Sequence, residues 1–235
     1  MAYVQRVAVN DDFGGDATLV LNITPSAGSL LALGFAWEVA SGFAISSVAD
    51  NQGNTWTAAA AAAATGVIDK VAGYYAMNVA GAATTITVTL TGAPDRFRGR
   101  VHEYSGRALT GALDIAKAQG QTNPGTGTDA VTTGTASVTA DGCDIMGFSS
   151  ESNDQPVYTA GTNYTLGGTL TGTADERREN VSAGSHAATF TINSGAADPT
   201  TLMMAFAPPA AGGQPTSKRF GGVPSMSFPG RNNVW

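Results

Sequence analysis

Two stretches of the chain come close to motifs that do chemistry, but each motif is incomplete. Gly147-Phe148-Ser149-Ser150-Glu151 approaches the Gly-x-Ser-x-Gly turn of α/β-hydrolases, yet it lacks the second glycine and a helix after it. Gly125-Thr126-Gly127-Thr128-Asp129-Ala130 fits the glycine pattern of dinucleotide-binding loops, but it follows Pro124 in a low-complexity stretch instead of a strand. We therefore expect neither serine hydrolysis nor dinucleotide binding.

Paired carboxylates are the remaining route to an enzyme, because glycosidases act with two Asp or Glu side chains on either side of the scissile bond. The acidic residues that could serve are Glu103, Asp114, Glu151, Asp154, Glu176 and Glu179. Their spacing along a β-rich chain does not show which of them converge. We interpret Glu103, beside His102, as a hydrogen-bonded core or interface carboxylate. The prediction is a non-enzymatic protein without a cofactor, and a glycan hydrolase is kept as a third alternative.

Metal and thiol chemistry have equally weak signals. Asp50-Asn51-Gln52-Gly53-Asn54 offers oxygen ligands, but its spacing misses the calcium-binding loop, and the same residues are those that a tight turn requires. Cys143 is the single cysteine, so an internal disulfide and a cysteine-based zinc site are excluded. Cys143 lies in an apolar run and is expected to be a buried thiol. We predict no metal site.

Alternating apolar and polar residues recur along most of the chain and predict an antiparallel all-β fold. Roughly fourteen short strands separated by turn residues are typical of a β-sandwich or a jelly roll. The Asp50–Asn54 turn is predicted to join residues 43–49 and 54–60 as a hairpin. The other predicted strands are 3–9, 18–23, 30–39, 67–79, 84–91, 97–104, 113–115, 136–139, 143–149, 157–166, 176–182, 186–192 and 201–206.

The domain organisation follows from changes in composition. Residues 1–207 carry the strand pattern and are predicted to form the β body. Residues 118–135 contain little that could be buried, so they are predicted to be a long exposed loop. They are also the best candidate for a boundary between two packed halves, with one undivided body as the alternative. A Pro/Gly linker follows at 208–215, and an extended C-terminal arm at 216–235.

Composition limits the partners. The chain has 235 residues, of which 43% are hydrophobic and 13% are charged, and a formal net charge of -6. A charged fraction well below the usual ~25% suits a protein whose faces are partly covered by neighbours. A negative chain without a basic surface argues against nucleic acid. There is neither a secretory start nor an apolar run long enough for a membrane span, so we expect synthesis in the cytoplasm and no membrane partner.

Two segments could mediate assembly. Asp175-Glu176-Arg177-Arg178-Glu179 is the densest charge cluster, and it predicts either ion pairs between subunits or a solvated edge strand. The arm has no acidic residue, and its large aromatic side chains are widely spaced; it is expected either to be disordered or to lie across a neighbouring subunit. The residues predicted to bind a partner are Arg219, Phe220, Phe228, Arg231 and Trp235.

Several segments resemble a family of known proteins. They are 48–57, Tyr74-Tyr75-Ala76, Val101-His102-Glu103-Tyr104-Ser105-Gly106, Leu113-Asp114, Ala187-Ala188-Thr189-Phe190-Thr191, Met204-Ala205-Phe206, Arg219-Phe220-Gly221-Gly222-Val223-Pro224 and Val234-Trp235. The chain resembles a poorly characterised β-rich family of tailed-phage and prophage structural proteins that also occurs in some bacterial surface proteins. The resemblance implies a virion component and supplies no catalytic residues.

The sequence thus leads to a structural virion protein, most simply a capsid decoration or cement protein assembled in the host cytoplasm. Its expected partners are copies of itself in a cyclic homo-oligomer such as a trimer, and other virion proteins such as the major capsid protein. A tail or fibre component is the next reading. A carbohydrate-binding adhesin module is the alternative from another class, with glycan contacts through exposed aromatics such as Trp37, Trp56, Tyr158 and Tyr164.

Overall fold

The computed structural model describes residues 3–11, 15–38, 42–63, 69–122, 129–151, 157–192 and 198–210, and every regular element in these ranges is a β-strand. The strands are β1 Tyr3–Asp11, β2 Thr18–Ile23, β3 Leu30–Glu38, β4 Ile45–Asp50, β5 Trp56–Ala63, β6 Asp69–Ala76, β7 Thr84–Leu90, β8 Phe97–Tyr104, β9 Leu113–Gly120, β10 Asp129–Thr132, β11 Ala136–Val138, β12 Cys143–Ser150, β13 Tyr158–Ala160, β14 Thr165–Leu170, β15 Thr173–Val181, β16 Gly184–His186, β17 Thr189–Ile192 and β18 Thr200–Phe206. The all-β prediction is confirmed. The described part of the chain has no helix that could span a membrane.

The first eight strands form a sandwich of two antiparallel sheets. The first inner sheet has the order β1-β8-β3-β6-β5, and the first outer sheet has the order β2-β7-β4. Alternation explains the packing, because Leu19 and Leu21 of β2 and Ile86 and Val88 of β7 are buried against the inner sheet while the residues between them face outward.

Strands β9–β18 repeat this arrangement. The second inner sheet has the order β14-β15-β12-β18-β9, the second outer sheet has the order β10-β17-β13, and β11 and β16 form an additional pair. Each strand pairing in β1–β8 has a counterpart in β9–β18, with β1, β8, β3, β6 and β5 corresponding to β9, β18, β12, β15 and β14. The chain passes from one sandwich to the other at residues 105–112.

The two inner sheets pack face to face, so the molecule has four layers. Strand β5 lies alongside β9, and β1 lies alongside β14. Because β5 corresponds to β14 and β9 corresponds to β1, the β5–β9 contact is equivalent to the β14–β1 contact, as it would be under a two-fold axis. The two sandwiches therefore resemble the halves of a symmetric dimer joined in one chain.

Strand β3 is buried on both faces, which explains its continuous apolar run. Leu31, Leu33 and Phe35 face the first outer sheet, whereas Leu30 and Ala32 face the second inner sheet. The sheets approach closely where a glycine removes a side chain: a Cβ on Gly34 would lie 3.0 Å from the Phe148 Cβ, and one on Gly73 would lie 2.9 Å from the Leu202 Cδ2. Side chains of the second inner sheet thus occupy the space that Gly34 and Gly73 leave in the first inner sheet.

Two local predictions are wrong. Strands β4 and β5 belong to different sheets, so the Asp50 turn crosses between layers and does not close a hairpin. The long loop predicted over 118–135 contains the end of β9 and all of β10. The alanine run at 58–63 lies within β5.

The strand pairing of the first sandwich matches a jelly roll in part. The pairs β1–β8, β2–β7 and β3–β6 are nested as in a jelly roll, but β5 joins the inner sheet beside β6, so the jelly-roll-like form stays a prediction. The change from one sandwich to the other lies at residues 105–112, so the predicted boundary at 118–135 falls within the second sandwich. The arm residues Arg219, Phe220, Phe228, Arg231 and Trp235 lie outside the described residues, as does most of the 208–215 linker.

Candidate functional site

Strand β8 places four large polar side chains between the two inner sheets. Arg98, Arg100, His102 and Tyr104 occupy alternate positions on the face toward the second inner sheet, and each is at most 1% exposed. Phe97 and Val101, at the other alternate positions of β8, face the opposite way, into the core of the first sandwich. A period of two in the strand is what brings these polar residues onto one face.

Asp175 of β15 lies at the centre of this region. His102 Nε2 is 2.8 Å from Asp175 Oδ2, Arg6 Nη1 donates to Oδ1 at 3.1 Å, and Arg100 Nε is 3.3 Å from Oδ1. Arg100 also donates from Nη2 to Thr173 Oγ1 at 2.6 Å. We call Arg6, Arg100, His102, Thr173 and Asp175 the Asp175 cluster. It joins the two sandwiches through charge-assisted hydrogen bonds.

Burial and charge act against each other in this cluster. Burial raises the pKa of Asp175, but the hydrogen bond from His102 and the charges of His102, Arg6 and Arg100 outweigh it, so the pKa lies below its ordinary value. Burial lowers the pKa of Arg100 to about 10, with Asp175 opposing the shift. Both groups are therefore ionised at neutral pH and neutralise each other.

The cluster has a His–Asp pair but lacks the access that catalysis needs. His102 Nδ1 lies 3.1 Å from the Tyr104 hydroxyl oxygen, so the ring contacts a hydroxyl and a carboxylate as in a serine triad, but with the roles of its two nitrogens exchanged. Burial, with the charges of Asp144 and Asp175, raises the pKa of Tyr104 well above its ordinary value, which disfavours its ionised form. The side chains of Arg100, His102 and Asp175 are 0% exposed. This geometry serves the docking of the two sandwiches.

Two glycines in β14 make room for the Asp175 cluster. A Cβ on Gly167 would collide with the Asp175 carboxylate, and a Cβ on Gly168 would collide with the Arg6 guanidinium. The pairing of β14 with β15 also shifts register between Leu166 and Gly168. This irregularity lets Arg6 reach Asp175 across the edge of the sheet.

The corresponding place on the other side of the molecule is apolar. The Asp175 cluster lies among β1, β8, β14 and β15, and the corresponding strands are β9, β18, β5 and β6. These strands meet through small and apolar side chains: Ala59, Ala60, Ala116, Ala118, Leu202 and Met204. The Asp175 cluster thus lies on one side only of the two-fold-like arrangement.

Arg107 fixes the connection between the sandwiches. Its Nη1 donates to the carbonyls of Gly142 and Phe206 at 2.9 and 3.0 Å, and its Nη2 lies 3.4 Å from Asp144 Oδ2. Burial raises the pKa of Asp144, while the Asn180 amide and the Arg107 charge oppose that shift. The connecting segment is anchored in the second sandwich by this buried guanidinium.

The structure places the predicted carboxylates at separate points. Glu103 is buried toward the first outer sheet and accepts bonds from Gln5 Nε2 at 2.6 Å and the Ser26 amide at 2.8 Å, which confirms a hydrogen-bonded core carboxylate. Glu176 is buried on the opposite side of the molecule. Asp114 accepts bonds from the Thr139 amide and hydroxyl, and Glu179 lies near Arg177 at the surface. Glu151 is buried, and Asp154 lies outside the described residues.

The prediction of a solvated edge strand at 175–179 is wrong, because β15 lies between β14 and β12. Glu176 accepts bonds from the Gly161 and Thr189 amides, both at 2.9 Å. Burial raises its pKa to about 8 against the influence of these donors. Asp175 and Glu176 therefore support the fold of their own chain.

The remaining predicted residues have structural surroundings. Asp50 Oδ1 accepts from the Gln52 and Asn54 amides, and Oδ2 accepts from Asn54 Nδ2 and Trp56 Nε1, as turn chemistry predicts. Cys143 is a buried free thiol, as predicted, and burial raises its pKa to about 11. Among the described residues, no group of His, Cys, Asp and Glu side chains is arranged to hold a metal ion.

The aromatic residues considered for glycan contact are largely internal. Trp37 and Tyr158 are buried, so the expectation that they are exposed is wrong. Trp56 and Tyr164 are partly buried. Sequence reasoning missed Arg6, Arg100 and Arg107, although one signal was present: Arg98-x-Arg100-x-His102-x-Tyr104 is a polar period-two run in a chain with few charges.

Comparison of the chain with protein-family models, curated proteins and solved structures finds no match. The resemblance to phage structural proteins stays a prediction.

Proposed function

We propose that this chain is a non-enzymatic structural protein of a tailed-phage virion, with capsid decoration or cementing as its first role and a tail or fibre component as the second. It would dock on neighbouring subunits, either copies of itself in a closed ring or the major capsid protein, through its β body and C-terminal arm. Assembly would take place in the host cytoplasm.

The observation that carries the proposal is a pair of equivalent, uncharged outer faces. On the first outer sheet, Thr85, Thr87 and Thr89 of β7 point outward between β2 and β4. On the second outer sheet, Thr189 and Thr191 of the corresponding β17 point outward between β10 and β13. Their outward neighbours in the flanking strands are Thr18, Val20, Asn22, Ser47, Ala49, Ala130, Thr132 and Thr159.

Uncharged hydroxyl and methyl groups suit contact with another protein. They are desolvated at much lower cost than charged groups, and protein interfaces are depleted of charge at their centres. A chain with a net charge of -6 meets a negatively charged neighbour with least repulsion at such a face. The duplicated sandwich offers one of these faces on each side.

The interior supports the same role. The Asp175 cluster and Arg107 join the sandwiches into one body, and Arg100, His102, Asp175 and Arg107 are each at most 3% exposed. The nested strand pairing also resembles jelly rolls, an architecture used in viral capsids and lectins, which supports the proposal by fold analogy alone.

The arm supplies the second contact in this proposal. Residues 216–235 contribute three positive charges and no negative charge. Since the whole chain has a formal net charge of -6, residues 1–215 have a net charge of -9. A basic arm with aromatic anchors is suited to an acidic groove on a neighbouring subunit. Arg219, Phe220, Phe228, Arg231 and Trp235 are the proposed anchors.

Quantitative mass spectrometry of purified virions from a phage that encodes the chain tests this function. We expect the protein in fixed copy number. Deletion of residues 216–235 should leave circular dichroism of the body unchanged and abolish incorporation, whereas unchanged occupancy would contradict the latch.

The outer faces need a separate test. Thr87→Glu and Thr191→Glu should each lower the copy number, because each places a charge at the centre of one face. Thr110→Glu, at an exposed position in the segment between the sandwiches, is the matched control and should keep normal occupancy. Absence of the wild-type chain from virions would overturn the proposal.

A further inference from the structure

We propose that a polar cleft in the first sandwich binds a neutral saccharide. The cleft lies between β1, at the edge of the first inner sheet, and β2, at the edge of the first outer sheet, and has a volume of about 230 Å³. Gln5, Asn22, Thr24 and Thr85 supply its polar groups, and Val7 and Ala83 its apolar surface. The site is separate from the aromatic residues considered for glycan contact, and it borders the first outer face, with which it shares Asn22 and Thr85.

A buried carboxylate fixes the orientation of Gln5. Gln5 Nε2 donates to Glu103 Oε2 at 2.6 Å and to the Thr24 carbonyl at 2.8 Å, so both of its N–H groups are used. The other oxygen of Glu103 accepts from the Ser26 amide, which holds the carboxylate in place. The amide oxygen of Gln5 is thereby left as an oriented acceptor for a ligand.

Asn22 supplies the complementary group. Its Oδ1 accepts a bond from the Thr85 hydroxyl at 2.9 Å, which leaves Nδ2 as the donor. The cleft thus offers an acceptor and a donor that are each set by a neighbouring side chain. Adjacent sugar hydroxyls can donate to the first and accept from the second.

Charge and size restrict the ligand. Every residue lining the cleft is uncharged, and Glu103 behind Gln5 opposes the approach of an anion. The apolar surface of Val7 and Ala83 suits the C–H face of a sugar ring. A volume of about 230 Å³ is smaller than most ligand pockets, which fits one sugar residue and millimolar affinity.

Saturation-transfer NMR with the purified full-length chain tests the site. The probes are the methyl glycosides of glucose, galactose, mannose and N-acetylglucosamine, each titrated to about 20 mM. We expect saturable transfer to at least one of them. Transfer to none would overturn the proposal.

Asn22→Asp is the diagnostic variant, because it exchanges the donor for an oxygen at an exposed position and should not affect folding. It should weaken binding about tenfold, the effect of one lost hydrogen bond. Asn163→Asp makes the same chemical change in an exposed turn of the second sandwich and should bind as the wild type does. Equal affinity of Asn22→Asp and wild type, or equal loss in both variants, would contradict the site. The assay uses the free chain, so its outcome is independent of the virion experiments.

Discussion

His102 Nε2 and Asp175 Oδ2 lie 2.8 Å apart, although 73 positions separate the residues and each belongs to a different sandwich. This contact is local in space and remote in sequence, so it forms only when both sandwiches are in place. Loss of either partner leaves charge or polar groups in a region without solvent, where the cost is high.

Asp175→Asn should lower the free energy of unfolding by about 3–5 kcal/mol, since it leaves the buried guanidinium of Arg100 without its counter-charge. Urea denaturation at pH 7 measures the change. The exposed Asp16→Asn should stay within about 0.5 kcal/mol of wild type. Equal effects of the two variants would refute a central role for Asp175.

The pKa of Asp175 is lower in the folded chain than in the unfolded chain. Asp175 therefore stabilises the fold at pH values above its unfolded-state pKa, and this stabilisation is lost as the pH falls through its folded-state pKa.

Gly168→Ala should destabilise the wild-type chain by about 1 kcal/mol, because the added Cβ displaces the Arg6 guanidinium from Asp175. In an Arg6→Ala background the same change meets no guanidinium, and it should be neutral or slightly stabilising, since alanine suits a strand better than glycine. A double-mutant cycle by urea denaturation measures the coupling. Additive effects would show that Gly168 and Arg6 act separately.

Glu176 should make stability fall with rising pH. Its folded-state pKa of about 8 lies above the ordinary value of 4.5, so the folded chain binds a proton that the unfolded chain releases between these values. The free energy of unfolding contributed by Glu176 is therefore highest below about pH 4.5 and is lost as the pH rises to about 8. Carboxyl ¹³C NMR should show one glutamate titrating near pH 8. Titration of every glutamate near its ordinary value would contradict the prediction.

Arg107→Met should cost about 2–4 kcal/mol, because it removes the donor to two carbonyls and leaves the buried Asp144 without its cation. Arg96→Met is the contrasting control: Arg96 is partly exposed and 3.7 Å from Glu38, so its surface pair should contribute less than about 1 kcal/mol. Differential scanning calorimetry distinguishes the two. A similar shift in melting temperature for both would mean that burial of Arg107 adds nothing.

Alternation in the sequence was sufficient to find strands but not their partners. The predicted ranges 18–23 and 97–104 coincide with β2 and β8. Buried and exposed residues alternate along β2, whereas β8 is buried throughout and alternates residues between two packed sheets. The same pattern could not show that β4 and β5 separate into different sheets, since a turn of Asp, Asn and Gly serves a hairpin and a crossover equally well.

The charged residues were harder to place for the same reason. Asp175 stood out in a dense charge cluster, and His102 in an aromatic strand, but nothing local relates β8 to β15. The cluster depends on how two complete sandwiches meet. The duplicated strand order could not be predicted from the sequence either, because it is a property of how the strands pair and no repeated sequence motif accompanies it.

The one-sided position of the Asp175 cluster gives the molecule a direction. Its strand order repeats after a half turn, yet the partly exposed Arg6 lies at one edge of the contact between the sandwiches, and alanines of β5 and β9 lie at the other. A neighbour that contacts only the outer faces could bind the protein in either of two orientations. A neighbour that contacts one of these edges would bind it in a single orientation. A nearly symmetric building block can thus still transmit polarity to whatever lattice incorporates it.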